Sequence, residues 1–391
     1  MKRLLTGILV LCLLMTGAVY ANQPETVATA AGAANLSLTA KSAVVMEAGT
    51  GTLIYEKDKD KELPPASVTK VMSLLLIFQE IDSGRLKLSD KVTVSEHAAS
   101  MGGSQVFLEP SEVQTVETLI KCVVVSSAND AVVALAEHIA GSEEGFVKRM
   151  NQEAKKLGMQ HTTFKNACGL DAKGHVTTAY DIALMSRELT TKHPDIFKYT
   201  KIWMDTITHT TKKGTKEFGL SNTNKMIRQY NGCTGLKTGS TGTAKFCLSA
   251  TATRNGVDMI AVVMASDDSK TRIKDASALL DYGFANCQVI EDMTTAKEIG
   301  KINVAKGKKE TVSYPEHIKA KIINMKGNQK NVKKEIKIKS LTAPIKKGQT
   351  IGTILYKDGN EILVKKEIQA AENIEKMDYL TSLWRIAGKY F

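Results

Sequence analysis

The chain has 391 residues, a length that allows two domains of ~100–200 residues each together with accessory segments. Hydrophobic residues make up 43 % and charged residues 24 %, which excludes collagen-like and wholly disordered chains. A mean hydropathy of −0.14 with a single long apolar run excludes a polytopic membrane protein. The formal net charge is +12, and Ala296 to Phe391 alone carries 21 Lys+Arg against 10 Asp+Glu, so a domain boundary is expected near Thr294–Thr295.

The apolar run opens the chain. Lys2 and Arg3 precede an apolar stretch from Leu4 to Met15, and Val19-Tyr20-Ala21 has the small-residue pattern of a cleavage site. This is the layout of a secretory signal peptide, 1–21, removed after Ala21, with an uncleaved anchor as the alternative. Both readings predict an exported protein. Five cysteines then remain: Cys122, Cys168, Cys233, Cys247 and Cys287. An odd number leaves at least one thiol unpaired and argues against a disulfide scaffold. Cys122 and Cys247 sit in largely apolar runs, which predicts burial as small hydrophobes. No metal-ligand spacing occurs among the cysteines and seven histidines, so neither a metal nor another cofactor is expected.

Residues 34–290 hold the chemical signals. Pro64-Pro65-Ala66-Ser67-Val68-Thr69-Lys70 runs into an uninterrupted apolar segment, 71–77, and proline at or before a helix start predicts a helix beginning close to Ser67. Three residues apart, Ser67 and Lys70 share a face of that helix. A serine hydroxyl needs an adjacent base to act as a nucleophile at neutral pH. Lysine supplies one when burial and nearby cations lower its amine from ~10.4. Free N–H groups at the helix start favour negative charge there by roughly 0.3–2 kcal/mol.

Further on, the apolar run 122–125 leads into Ser126-Ser127-Ala128-Asn129-Asp130. In an extended segment Ser127 and Asn129 point the same way, a hydroxyl and an amide suited to relaying a proton and holding a peptide carbonyl. The run 131–137 reads as helix, so an N-cap is the competing role for either residue. Then Gly235-Leu236-Lys237-Thr238-Gly239-Ser240 precedes 245–253, which reads as a strand. Lys237 offers a fixed positive charge and Thr238 a donor for a substrate carboxylate, while Gly239 permits close approach of a substrate backbone to the strand edge. An ordinary turn at a strand start is the competing reading. Each motif alone is short enough to arise by chance. Together, S-x-x-K, S-x-N and K-T-G in this order, with gaps of 60 and 108 residues, are specific.

After 295 the pattern changes to short β-like runs separated by lysines, 302–304, 336–338, 351–355 and 362–364, with Asp358-Gly359 as a hairpin signal. A small all-β domain over about 296–370 follows. Export and the near absence of aromatics for base stacking argue against nucleic acid as its partner. Anionic lipid or wall polymer is one reading of the lysines, and solvated faces with protected strand edges the other. In 371–391, Ile374, Met377, Leu380, Trp384, Ala387 and Phe391 recur at spacings of three or four. The stripe is too short to span a bilayer and predicts an amphipathic helix at the membrane surface, with docking on the β domain as the alternative.

The motif set resembles that of the low-molecular-mass penicillin-binding proteins that are serine-type D-alanyl-D-alanine carboxypeptidases. The likeness runs through roughly 40–290 and includes Leu63-Pro64-Pro65-Ala66-Ser67, Ser127-Ala128-Asn129-Asp130-Ala131, Gly169-Leu170-Asp171 and Leu279-Leu280-Asp281-Tyr282-Gly283-Phe284. It implies an α/β (α+β) transpeptidase or β-lactamase-like fold, a mostly antiparallel sheet flanked by helices with a helical lobe, plus the C-terminal β domain. By the resemblance Ser67 is the acylated nucleophile, Lys70 its general base, and Ser127 and Asn129 line the cleft. Lys237, Thr238 and Arg272 bind the terminal carboxylate, with Gly239 beside them. The N–H groups of Ser67 and Ser240 form an oxyanion hole, whose single donors are worth ~2.7–4 kcal/mol. The implied substrate is a peptidoglycan stem ending in D-Ala-D-Ala, with β-lactams as covalent inhibitors. The family usually shows Asn-Pro-x-Gly-Leu, whereas this chain has Asn166-Ala167-Cys168-Gly169-Leu170, which leaves the path of that loop open and makes Cys168 a possible reactive thiol. A class A β-lactamase needs a glutamate for deacylation, and 162–174 contains none. A muropeptide endopeptidase on the same site and a wall-binding protein with a degenerate site are the remaining alternatives.

Overall fold

The computed structural model describes residues 36–325, 331–379 and 385; the expected signal peptide and most of the expected terminal helix lie outside them. Five strands, β1 (Ser42–Glu47), β2 (Leu53–Lys57), β3 (Cys233–Thr241), β4 (Lys245–Arg254) and β5 (Val257–Ser266), form one antiparallel sheet in the order β2-β1-β5-β4-β3. Two of its three inner strands, β1 and β5, read as nearly continuous apolar runs because both faces are covered. Val44, Met46, Ile260, Val262 and Met264 point into one core, and Ala43, Val45, Met259, Ala261 and Val263 into the other.

The first core is shared with a helical lobe inserted between β2 and β3. Its main helices are α1 (Lys70–Asp82), α2 (Val116–Val125), α3 (Asn129–Ala140), α4 (Glu143–Lys156) and α5 (Ala179–Lys192). Thr115, Ser142 and Thr178 cap α2, α4 and α5 by accepting from backbone N–H groups of the first turn. The second core is closed by α6 (Ser269–Asn286), whose N-cap Asp268 accepts from the N–H groups of Lys270 and Thr271. The arrangement is the sheet-and-helix fold that the motifs imply.

Composition places the domain change near Thr294–Thr295, but the backbone changes partner earlier. Strand β6 (Cys287–Thr295) follows α6 without a linker and pairs along its whole length with β7 (His317–Met325). The charge shift lags the fold because β6 carries no lysine or arginine. A second sheet is built from β8 (Val332–Ile338), β9 (Thr350–Asp358) and β10 (Glu361–Gln369), the last two joined at Gly359, whose φ of +56° suits glycine in a tight turn. Ile302, Val304, Ile351, Ile354, Tyr356, Ile368 and Ile374 make its core.

Ile374 corrects the expected tail. It is buried and bridges Ile345, and Lys376 bridges Gly307, so 371–376 closes the β domain rather than opening a helix. The isoleucine meets an apolar pocket there, and that outweighs the helical spacing. Arg385 donates to the carbonyls of Gly307 and Lys308.

Candidate active site

Ser67 sits in a 3₁₀ turn, Ala66–Thr69, that leads into α1, so the helix expected at Ser67 becomes α-helical only at Lys70. This keeps the two side chains on one face, with Lys70 Nζ 3.0 Å from Ser67 Oγ. Ser67 is half-buried and open to the cleft, whereas Lys70 is fully buried. Burial is the main cause that lowers the Lys70 amine, to about 8. It also donates to Asn129 Oδ1 at 2.6 Å and to the carbonyl of Cys168 at 2.8 Å. The Asn129 amide cannot turn round, because its Nδ2 is held by the Gly102 carbonyl at 2.7 Å.

A neutral amine has two hydrogens and one lone pair. Asn129 Oδ1 and Cys168 O are pure acceptors and take the two hydrogens, which leaves the lone pair for the hydroxyl of Ser67. That is the geometry of a general base beside its nucleophile.

Ser127 is not an N-cap. Its φ is +62°, α3 starts at Asn129 after Ala128, and no side chain caps it. Nor is the segment extended: it is the tight junction of α2 and α3, and it sends Ser127 and Asn129 to different lysines. Ser127 Oγ accepts from Lys237 Nζ at 2.8 Å. Lys237 is buried as well, and its amine lies well below its ordinary value because of burial and the cationic neighbours Lys70 and Arg272.

The K-T-G motif is no turn either; it runs along the middle of edge strand β3. Gly239 is required there by contact. A Cβ at this position would stand 2.9 Å from Pro65 O, Ser67 N and Val68 N, so β3 lies directly against the turn that carries Ser67. Ser67 N–H thus borders the strand carrying Ser240, which is exposed to the cleft. Thr238 shares a hydrogen bond with Thr223 at 2.8 Å between hydroxyls. Arg272, in the first turn of α6, is buried rather than superficial. Its Nη1 donates to the carbonyls of Gly239 and Cys247, both at 3.2 Å, while its Nε has no partner.

The loop 166–171, with its unexpected alanine and cysteine, forms one wall. Asn166 Oδ1 accepts from the N–H groups of Cys168, Gly169 and Leu170. Ala167 uses the N–H that a proline lacks, donating to Glu143 Oε1 at 2.9 Å. Cys168 points its carbonyl, not its sulfur, at the site. Its thiol is buried and held up chiefly by desolvation, which removes the reactive-thiol reading. All five described cysteines are free. The loop is tied across to β3 where Thr241 Oγ1 donates to Asp171 Oδ1 at 2.8 Å. Glu143, Gly102, Cys168 O and Thr223 were not singled out in the sequence; two of them act through backbone carbonyls, which carry no sequence signal. Among the described residues, no helix is long and apolar enough to cross a membrane, and no cluster of His, Cys, Asp and Glu is suited to a metal.

The serine, two buried lysines and K-T-G strand converge as they do in a penicillin-interacting serine enzyme, and a family model described as D-alanyl-D-alanine carboxypeptidase matches residues 27–268. The chain belongs to that carboxypeptidase family. The C-terminal domain of penicillin-binding protein 5 matches residues 292–376. Among individual carboxypeptidases, DacF of Bacillus subtilis is 42 % identical over 394 residues, covering 100 % of this chain and 99 % of that protein. DacC of Escherichia coli is 31 % identical, over 89 % of this chain and 87 % of its own length. Penicillin-binding protein 5 of Haemophilus influenzae superposes with a TM-score of 0.70 at 29 % identity, over 88 % of this chain and all of that one. As a member of this carboxypeptidase family, the chain is a low-molecular-mass penicillin-binding protein and a serine-type hydrolase.

Proposed function

We propose that this enzyme removes the terminal D-alanine from peptidoglycan stems ending in D-Ala-D-Ala, with Ser67 as the acylated atom's owner and Lys70 as its base. The observation that carries the assignment is the buried amine with two fixed acceptors and one hydroxyl around it. The amine takes the Ser67 proton as Oγ bonds to the penultimate carbonyl carbon. The carbonyl electron pair moves to oxygen, beside the N–H groups of Ser67 and Ser240. Its return breaks the C–N bond. The departing D-Ala nitrogen takes up a proton from the Lys70 ammonium, assisted by the Ser127 hydroxyl that Lys237 holds at 2.8 Å. Water then adds to the ester carbon as Lys70 again accepts a proton, and as the C–O bond to Ser67 breaks Lys70 returns that proton to Oγ, giving the shortened stem and free Ser67. Lys237, Thr238 and Arg272 provide the positive and hydrogen-bonding wall for the terminal carboxylate, and Asn129 and Gly239 border the bound peptide.

Incubating the signal-free protein with a pentapeptide stem, and in parallel with a cross-linked muropeptide, tests this through the product. Free D-alanine is expected from the pentapeptide. Its rate should rise about tenfold per pH unit below pH 8 and level off above, since only the unprotonated amine has a lone pair. Intact pentapeptide beside cleaved cross-links would make the enzyme an endopeptidase; no cleavage of either would end the catalytic reading.

Export through 1–21 and peripheral attachment to the outer face of the cytoplasmic membrane belong to the same proposal. The spacing of Met377, Leu380, Trp384 and Phe391 supports attachment, with Trp384 suited to the headgroup level. Because Ile374 is part of the β-domain core, the informative truncation removes 377–391. The shortened, processed protein is expected in the soluble fraction; co-sedimentation with membranes as before would exclude this anchor.

A further inference from the structure

The wall behind Lys70 is held by a residue with no place in the three motifs. Glu143 opens α4 and its side chain is 12 % exposed, yet both carboxylate oxygens are turned to partners outside its own helix. Oε1 accepts from Ala167 N at 2.9 Å, and Oε2 lies 2.8 Å from Nε2 of His97, whose side chain is 48 % exposed. On its other edge the same short segment is pinned by Ser73, which donates to the Ala167 carbonyl at 2.6 Å. One residue later comes the carbonyl that accepts from Lys70. The Ala167–Cys168 backbone is therefore clamped between α4 and α1, and the clamp sets where the Cys168 oxygen stands.

We propose that Glu143 is a positioning residue for the catalytic amine: by holding the Ala167 N–H it fixes the Cys168 carbonyl, which takes one Lys70 hydrogen and so turns the lone pair toward Ser67. The inference rests on Lys70 being the base. A charge at a helix start also steadies the helix by itself, but Glu144 stands in the same first turn and serves that purpose without touching the loop. A charge-assisted bond from a carboxylate to a backbone N–H is among the stronger ones available to a loop. Placement errors of about 1 Å at a reacting group cost about a hundredfold.

The test compares benzylpenicillin acylation rates across pH for the wild type, Glu143→Ala, Glu143→Gln, Glu144→Ala and Lys70→Met, with melting temperatures alongside. Glu143→Ala is expected to acylate about ten- to a hundredfold more slowly. Its rate should climb at higher pH than in the wild type, because water entering behind the loosened loop relieves the burial that holds the amine down. Glutamine keeps an acceptor oxygen and should recover most of the rate. Glu144→Ala should match the wild type. If Glu143→Ala keeps both rate and pH profile, or if it and Glu144→Ala lose rate only in step with melting temperature, the positioning role is overturned. If instead Lys70→Met acylates normally, the base assignment itself fails, whatever the Glu143 variants do.

Discussion

Benzylpenicillin is expected to add one drug mass to the signal-free wild-type protein and none to Ser67→Ala, with acylation slowed by at least about 10⁴-fold. Ser67 is the hydroxyl beside an amine of lowered basicity, on a turn whose own N–H lies against β3. Ser127, another cleft hydroxyl, accepts from Lys237, whose amine is also lowered but whose second partner is the Thr238 carbonyl. The adduct should therefore follow Ser67 alone. An adduct on both proteins would move the nucleophile elsewhere. Drug consumed without an adduct would mean β-lactamase turnover, and drug left intact would indicate a closed, binding-only site.

Gly169→Ala is expected to slow acylation by about a hundredfold and to cost about 1–3 kcal/mol of stability, read as a lower urea midpoint. Gly169 has a φ of +91°, and a Cβ there would stand 1.9 Å from the carbonyl oxygen of Ala66 and 2.4 Å from its carbon. Neither atom is the end of a flexible side chain, so the loop must retreat or the nucleophile turn must shift. Ala66 is itself in the left-handed region at φ +49°, with little freedom left to give. A variant with wild-type rate and midpoint would show that the loop and the turn are not in firm contact.

The side chains of the three motifs were legible in the sequence, whereas Glu143 and Thr223 carried no motif. Ser67, Lys70 and Lys237 came from spacing and residue type, whereas the apolar β5, buried on both faces, had not been singled out. Ser127 was ambiguous, because a serine before a helical run serves equally as a cap; only its left-handed backbone and the Lys237 bond decide the matter. Arg272 entered only through the resemblance, and its burial depends on β3 and β4 lying against it. The Cys168 carbonyl had no signal at all. The β-domain start was misplaced by a few residues because net charge marks composition, whereas pairing of Cys287 with Met325 marks the fold. Ile374 satisfied a helical period and went to a β-bridge, an instance of tertiary packing overriding local pattern.

The two cleft lysines are buried with neutral oxygen atoms as their hydrogen-bond partners, and among the described residues no carboxylate forms an ion pair with either. A stability screen would single out these positions first, since a well-packed methionine commonly improves a fold that buries an amine. Such a screen would enrich for inactive protein. Thermostabilised versions of this enzyme therefore have to be sought on the far side of the sheet and in the β domain, with Lys70 and Lys237 held constant as the places where robustness and turnover conflict.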